Sequence, residues 1–271
     1  MLCDLDGDQL PGLVTLTTGG ADGPAVVECY DTKTGDFHRI GEQRLRFSYE
    51  NLRRVQHGAI GGGSEGVIFS GVGADGQQII DVCAVTEDGF IRVEPEEDIL
   101  ISSTVHSYFV YPEDLDGDGV LEFPQTRQLP AYDDGSAAQW AIEWYSLSLD
   151  GQVEHVTSTF ENFSEGWYLQ LLEAWDRDLI IKASDESTTV STVTIFRSAE
   201  KAGDPAQEIL TIYTLRGARR QEYVDENSLT ILYSASDSET IYALSLAAAE
   251  PWEGTATKAQ VSEMFHVRDN S

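Results

Sequence analysis

Four glycines set the rhythm of this chain. Gly35, Gly89, Gly151 and Gly217 recur at intervals of 54, 62 and 66 residues, each a few positions after a run rich in β-branched and aromatic residues. Those runs are Val26–Tyr30, Ile79–Val85, Ala141–Tyr145 and Ile209–Tyr213, and their partial alternation of apolar and polar residues is the period-2 pattern of a strand. Glycine supplies the positive φ that a tight hairpin turn requires, so each unit reads as strand, turn, strand. Further strand candidates lie at Gly66–Phe69, Phe90–Val93, Ser107–Val110, Leu179–Lys182, Thr192–Phe196, Thr230–Tyr233 and Thr240–Leu244, about four strands to a unit. A four-stranded unit repeated at this kind of spacing is the pattern of a radial repeat, with insertions in the later copies. The expected fold is all-β, propeller-like or a partial β-propeller of about four four-stranded repeats, with a sandwich as the competing layout. Residues 1–160 are expected to form propeller-like repeats carrying two acidic loops, and 161–271 a further β repeat or capping β subdomain. Helix is scarce. Thr257 and Gln260 have capping-box spacing ahead of Val261, Met264 and Phe265, which predicts a short C-terminal helix, and Trp167–Trp175 suggests another helical turn or two.

Charge narrows the partners. Against 47 Asp and Glu stand 17 Lys and Arg, a net charge of −30 that opposes nucleic acid and polybasic membrane attachment and favours cations. Hydrophobic residues at 41 % are too many for an acidic disordered chain, so the chain is expected to fold. No apolar stretch reaches the roughly 18–20 residues of a membrane span. Cys3, Cys29 and Cys83 are odd in number and form no CxxC pair, which argues against both a disulfide framework and a zinc site. The first residues contain no basic and apolar export pattern, and an acidic motif begins at residue 4 without a lead-in, so the chain is expected to start inside a domain.

That motif bears the chemistry. Asp114-Leu115-Asp116-Gly117-Asp118-Gly119-Val120-Leu121-Glu122 places carboxylates at positions 1, 3, 5 and 9 of a glycine-tightened loop, and Asp4-Leu5-Asp6-Gly7-Asp8-Gln9-Leu10 is its partial copy. Carboxylates crowded together raise one another's pKa, and a hard divalent cation relieves the conflict. Ca²⁺ takes six to eight oxygens, so Asp114, Asp116, Asp118 and Glu122 with the Val120 carbonyl form one candidate set, and Asp4, Asp6, Asp8 with the Leu10 carbonyl a second. Position 12 is Gln125 and Phe123-Pro124 continues as strand, which excludes an EF-hand.

The Asp-Leu-Asp-Gly-Asp-Gly loop entering a strand resembles the calcium loops of FG-GAP/VCBS repeats, the blades of integrin-α-like β-propellers. Together with Trp144-Tyr145, Gly166–Leu169 and Leu210–Gly217, it is similar to uncharacterised surface lipoproteins of anaerobic Gram-positive bacteria. The Phe-Gly…Gly-Ala-Pro signature is missing, and only two of four repeats carry the loop. The resemblance implies an extracytoplasmic, secreted or lipid-anchored chain that binds a protein or glycan at the cell surface, with Ca²⁺ in a structural role.

No catalytic constellation is present. The five histidines have no HxH or HExxH partners, and Gly61–Gly66 lacks the Lys-Ser/Thr of a phosphate loop. The dense aromatics between 140 and 175 leave an alternative, a carbohydrate-binding or carbohydrate-active protein that stacks sugars on exposed Trp144 and Trp167. An acidic intracellular scaffold is the second alternative.

Overall fold

A computed structural model describes residues 1–17, 23–102, 108–175, 179–199, 205–234, 239–248 and 252–268. Ser107 lies outside them. The strands form four antiparallel sheets, each built largely of consecutive strands. The first runs β1 (Leu2–Cys3), β2 (Gly12–Thr17), β3 (Val26–Asp31) and β4 (His38–Arg44) in order. The second runs β5 (Leu52–Ile60), β6 (Ser64–Val72), β7 (Gln78–Thr86) and β8 (Gly89–Arg92), with β9 (Ile101–Ser102) paired to β7. The third begins β10 (Phe123–Gln128), β11 (Trp140–Leu147), β12 (Val153–Asn162) and β13 (Trp167–Leu171). In the fourth, β14 (Leu179–Ser187), β15 (Val190–Arg197) and β16 (Gln207–Arg216) precede helix α1 (Arg220–Glu226), β17 (Thr230–Ser234) and β18 (Thr240–Leu246). Here the order is β14-β15-β16-β18-β17. Helix α2 (Lys258–Met264) and β19 (Phe265–Val267) end the chain, and β19 joins the third sheet beside β13.

Three of the four glycine hairpins form as expected, with φ of +83° at Gly35, +115° at Gly89 and +89° at Gly151. The fourth does not. Gly217 turns the chain at φ +80°, but α1 follows, because Ala218–Glu222 holds no β-branched residue while Tyr223 and Val224 are spaced to pack back on the sheet. The strand expected at Ser107–Val110 is reduced, over its described residues, to an isolated bridge at Tyr108. Gln78, 2 % exposed, takes a strand partner's place, donating from Nε2 to the Val110 carbonyl (2.5 Å) and accepting the Val110 N–H at Oε1 (3.1 Å). The helical turns expected at Trp167–Trp175 resolve into β13, which buries Trp167, Leu169 and Leu171, and a single 3₁₀ turn over Glu173–Trp175.

The contacts divide the chain into two compact units, residues 1–126 with 143–156 and residues 127–142 with 157–271. In the first, β7 explains why its sequence is apolar almost without alternation. Ile79 and Cys83 face one cluster with Val27, Phe47 and Phe69, while Ile80, Val82 and Ala84 face another with Ile60, Phe123 and Leu147. A strand buried on both faces has no solvent side to keep polar. Cys3, Cys29 and Cys83 are free and buried, and burial pushes the Cys29 thiol up to about 11.

The second unit packs Trp167, Leu169, Ile181, Ile195, Ile212 and Leu244 with Val261 and Met264 of α2. The capping box forms as read: the Gln260 N–H donates to Thr257 Oγ1 (3.3 Å) and the Thr257 N–H to Gln260 Oε1 (3.0 Å). Strand β19 pairs Phe265 with Leu169 and Val267 with Trp167. Beyond it the Arg268 guanidinium donates to both oxygens of Glu161, at 2.7 and 3.1 Å.

Gly35 and Gly151 share a positive φ but differ in what surrounds them. A Cβ at Gly35 meets nothing within 4 Å, whereas one at Gly151 runs into the Glu94 carbonyl oxygen. Gly35→Ala is expected to cost about 1 kcal/mol, the left-handed penalty alone. Gly151→Ala should cost about 3 kcal/mol, because backbone must also move. Parallel urea titrations of the two variants measure the difference.

Candidate metal centre

Both acidic loops fold through the same main-chain bonds. In the 114–122 loop Asp114 accepts the N–H groups of Gly117 (2.8 Å) and Gly119 (3.0 Å), Asp116 that of Asp118 (3.1 Å), and Asp118 that of Val120 (2.8 Å). In the first loop Asp4 accepts from Gly7 and Gln9 (2.8 Å each), Asp6 from Asp8 (3.4 Å), and Asp8 from Leu10 (2.8 Å). The closing register matches as well, with Cys3 opposite Gly12 in β1–β2 and Glu113 opposite Glu122 in an isolated antiparallel bridge. Leu5 and Leu115 fill the same buried position, 7 % and 8 % exposed. A side chain that folds its own loop through short-range N–H acceptance needs only local sequence, so spacing alone made these loops legible.

Of the four positions at which the loops differ, two change backbone or charge. Where the second has Gly119 at φ +89°, the first holds Gln9 at φ +68°, a conformation that an L-residue adopts at a penalty. Where the second has Glu122, the first has Gly12. The carboxylates of Asp114, Asp116 and Glu122 each bring an oxygen within 4.8 Å of the others, as do those of Asp4, Asp6 and Asp8. Asp118 stands outside its loop's group. Gln125 is engaged elsewhere, donating to the carbonyls of Asp98 (3.0 Å) and Ile101 (2.8 Å), and β10 continues from Phe123 as strand.

Neutralisation differs too. Lys33, far from the first loop in sequence, sets its ammonium 2.6 Å from Asp6, 3.2 Å from Asp8 and 4.0 Å from Asp31. These partners raise the Lys33 pKa, so the first loop carries its own cation. Among the described residues no Lys, Arg or His pairs with Asp114, Asp116, Asp118 or Glu122. Glu122 is 1 % exposed, with one oxygen accepting the Leu115 N–H at 2.8 Å. Burial first, and then the negative charges of Asp116, Asp118 and Asp114, push its carboxyl up to about 7. Sequence reasoning could not foresee Lys33, because the contact bridges two turns of the first sheet.

The aromatic alternative requires correction. Trp144 and Trp167 are both fully buried, at 0 % exposure, and Trp167 packs against Phe160 and Phe265 at 5.9 and 5.4 Å between ring centres. Neither presents a face for a sugar. Their alternation with polar residues in β11 and β13 points them inward, the usual fate of large apolar side chains in a strand. No family model, curated protein or solved structure matches the chain.

The raised Glu122 carboxyl has a defined sign. Its folded pKa, near 7, lies above the ordinary 4.5, so in a chelator the folded protein binds the extra proton between those values. Stability therefore falls as pH rises from about 5 to about 7, and the full penalty stands above that window. Glu122→Gln is expected to flatten this slope and to add on the order of 2 kcal/mol at pH 8. Urea melts of the two proteins at pH 5 and pH 8 in chelator check it, and equal slopes would remove the assignment.

Proposed function

We propose that the chain is a non-catalytic module whose 114–122 loop holds Ca²⁺ as a structural clamp. One observation carries this reading: Glu122 is a buried carboxylate gathered with those of Asp114 and Asp116, with no cationic side chain among the described residues to balance them. The other buried acids each have a guanidinium. Asp81 lies 3.3 Å from Arg46 and 3.6 Å from Arg92, and Glu161 lies 2.7 Å from Arg268. An uncompensated buried carboxylate costs several kcal/mol, and a divalent ion seated by several oxygens removes that cost. Ca²⁺ suits the loop better than Mg²⁺, since a ring of flexible carboxylates and main-chain carbonyls does not demand a tight octahedron.

The loop's bonds suggest what the ion steadies. The Leu121 N–H donates to the Ala59 carbonyl (2.9 Å), and the Gly61 N–H two residues on donates to the Leu147 carbonyl (2.9 Å). Ordering the loop therefore orders the end of β5 and its link to the end of β11. The four sheets are read as propeller-like blades and the chain as an extracytoplasmic module that binds a protein or glycan at the cell surface. Support for this part is the resemblance of the acidic loop to FG-GAP/VCBS repeats, and the affinity of such loops, roughly 10⁻⁴–10⁻³ M, which suits the calcium supply outside cells.

Calcium titration tests the site. At about ten times its dissociation constant, Ca²⁺ is expected to add about 1.4 kcal/mol of stability, with one ion per chain by calorimetry. Asp116→Ala should abolish both effects while melting like the parent in chelator. Identical melting of the parent in CaCl₂ and in chelator, with no heat of binding, would overturn the reading.

A further inference from the structure

The run Leu215-Arg216-Gly217-Ala218-Arg219-Arg220 places three guanidinium groups around one cavity of the second unit. The cavity holds about 310 Å³, at the lower end of the range for small-molecule sites. One wall is the turn between β14 and β15, and the other is the corner where β16 passes into α1. Those walls are tied together: the Arg216 N–H donates to the Thr189 carbonyl at 2.8 Å, and Val190 pairs with Leu215 across the strands. The floor is apolar, because Val190 and Leu215 belong to a buried cluster with Val224 and Ile241, and Tyr223 packs against that cluster.

The guanidinium groups are only partly occupied. Arg216 pairs with Glu165, Arg219 Nε lies 2.7 Å from Glu222, and Arg220 donates to the Gly217 carbonyl at 2.8 Å. Arg220 forms no ion pair with any described residue. Each guanidinium offers five N–H donors in a fixed fork, more than these contacts use. Glu226 also lines the cavity, and Glu186 accepts from the Tyr223 hydroxyl at 3.4 Å. With Arg216 and Arg219 each meeting a glutamate, Arg220 is the guanidinium whose fork is left for a ligand.

We propose that this cavity binds a small amphipathic monocarboxylate. The fork of Arg220, with Arg219 or Arg216 beside it, matches a carboxylate's two oxygens, the bidentate arrangement for which arginine is suited. An aromatic or short aliphatic body then covers Val190, Leu215 and the Tyr223 ring. The net charge selects against a dianion: the field of the whole molecule opposes each added negative charge, so a phosphate is disfavoured relative to a carboxylate that carries one charge and an apolar body.

Benzoate, hexanoate and inorganic phosphate are the probes, titrated into the full chain by calorimetry and followed by melting temperature. Benzoate and hexanoate are expected to bind and to raise the melting temperature, phosphate is not, and Arg220→Gln should weaken benzoate by about tenfold or more. Arg219→Gln, altering a largely exposed side chain, is a second variant with the same expectation should Arg220→Gln fold poorly. The proposal is overturned if about 10 mM benzoate leaves the parent unaffected, if the folded variant binds benzoate as tightly as the parent, or if phosphate binds more tightly than benzoate.

Discussion

Antiparallel pairing between neighbours in sequence is the constraint on which this molecule rests. Within each sheet most strands bond to the one before them, and many of these ladders are closed by short turns, so little loop entropy is spent on distant pairings. Where pairing leaves sequence order, side chains make up the difference. The β16–β18 pairing is bridged by α1, whose Val224 joins the cluster beneath Leu215 and Ile241. The return of β19 to β13 is held by Phe265 in the core, by the Arg268 N–H donating to the Gly166 carbonyl (2.8 Å), and by the Arg268–Glu161 pair. A guanidinium that meets a buried carboxylate at both oxygens fixes register as well as charge, which suits it to the last strand of the chain.

An acidic surface creates a second constraint. Most of the described carboxylates lie at the surface, where like charge discourages pairing at sheet edges. Those that are buried need compensation. Asp81 accepts the Arg46 N–H at 2.7 Å and lies between two guanidinium groups, although burial still raises its pKa. The arginines between residues 39 and 54 divide between carboxylates and other partners. Arg39 and Arg46 pair with carboxylates, whereas Arg53 donates to the Glu50 carbonyl and Arg54 lies over the Tyr111 ring.

Legibility in the sequence followed the range of the interaction. The loops at 4–12 and 114–122, the turns at Gly35, Gly89 and Gly151, and the Thr257–Gln260 box are made by residues within a few positions of one another, and each was readable from spacing. Lys33 beside Asp6, Gln78 beside Val110 and the meeting of residues 187–190 with 216–223 are tertiary, and no spacing announces them. At Trp167–Trp175 two periods compete. Trp167, Leu169 and Leu171 alternate, but a following Trp175 at a spacing of eight also fits a helix face, and only the available strand partners, β12 and β19, decide between them.

The two acidic loops form an internal comparison, because their backbone bonds and closing register match while their charges do not. One has Lys33 among its aspartates and no buried acid; the other has Glu122 buried and no lysine. The difference at position 9 therefore goes with a difference in side-chain neutralisation. A lysine ammonium is a single charge on a flexible stem, sufficient for aspartates that remain partly in water. A carboxylate removed from water and faced by other acids bears their repulsion as well as its own desolvation, and among the described residues no cationic side chain relieves it. The same turn thus serves as a self-neutralised corner in the first sheet and as the entry to β10 in the other, where Glu122 gathers with Asp114 and Asp116 without a lysine beside them.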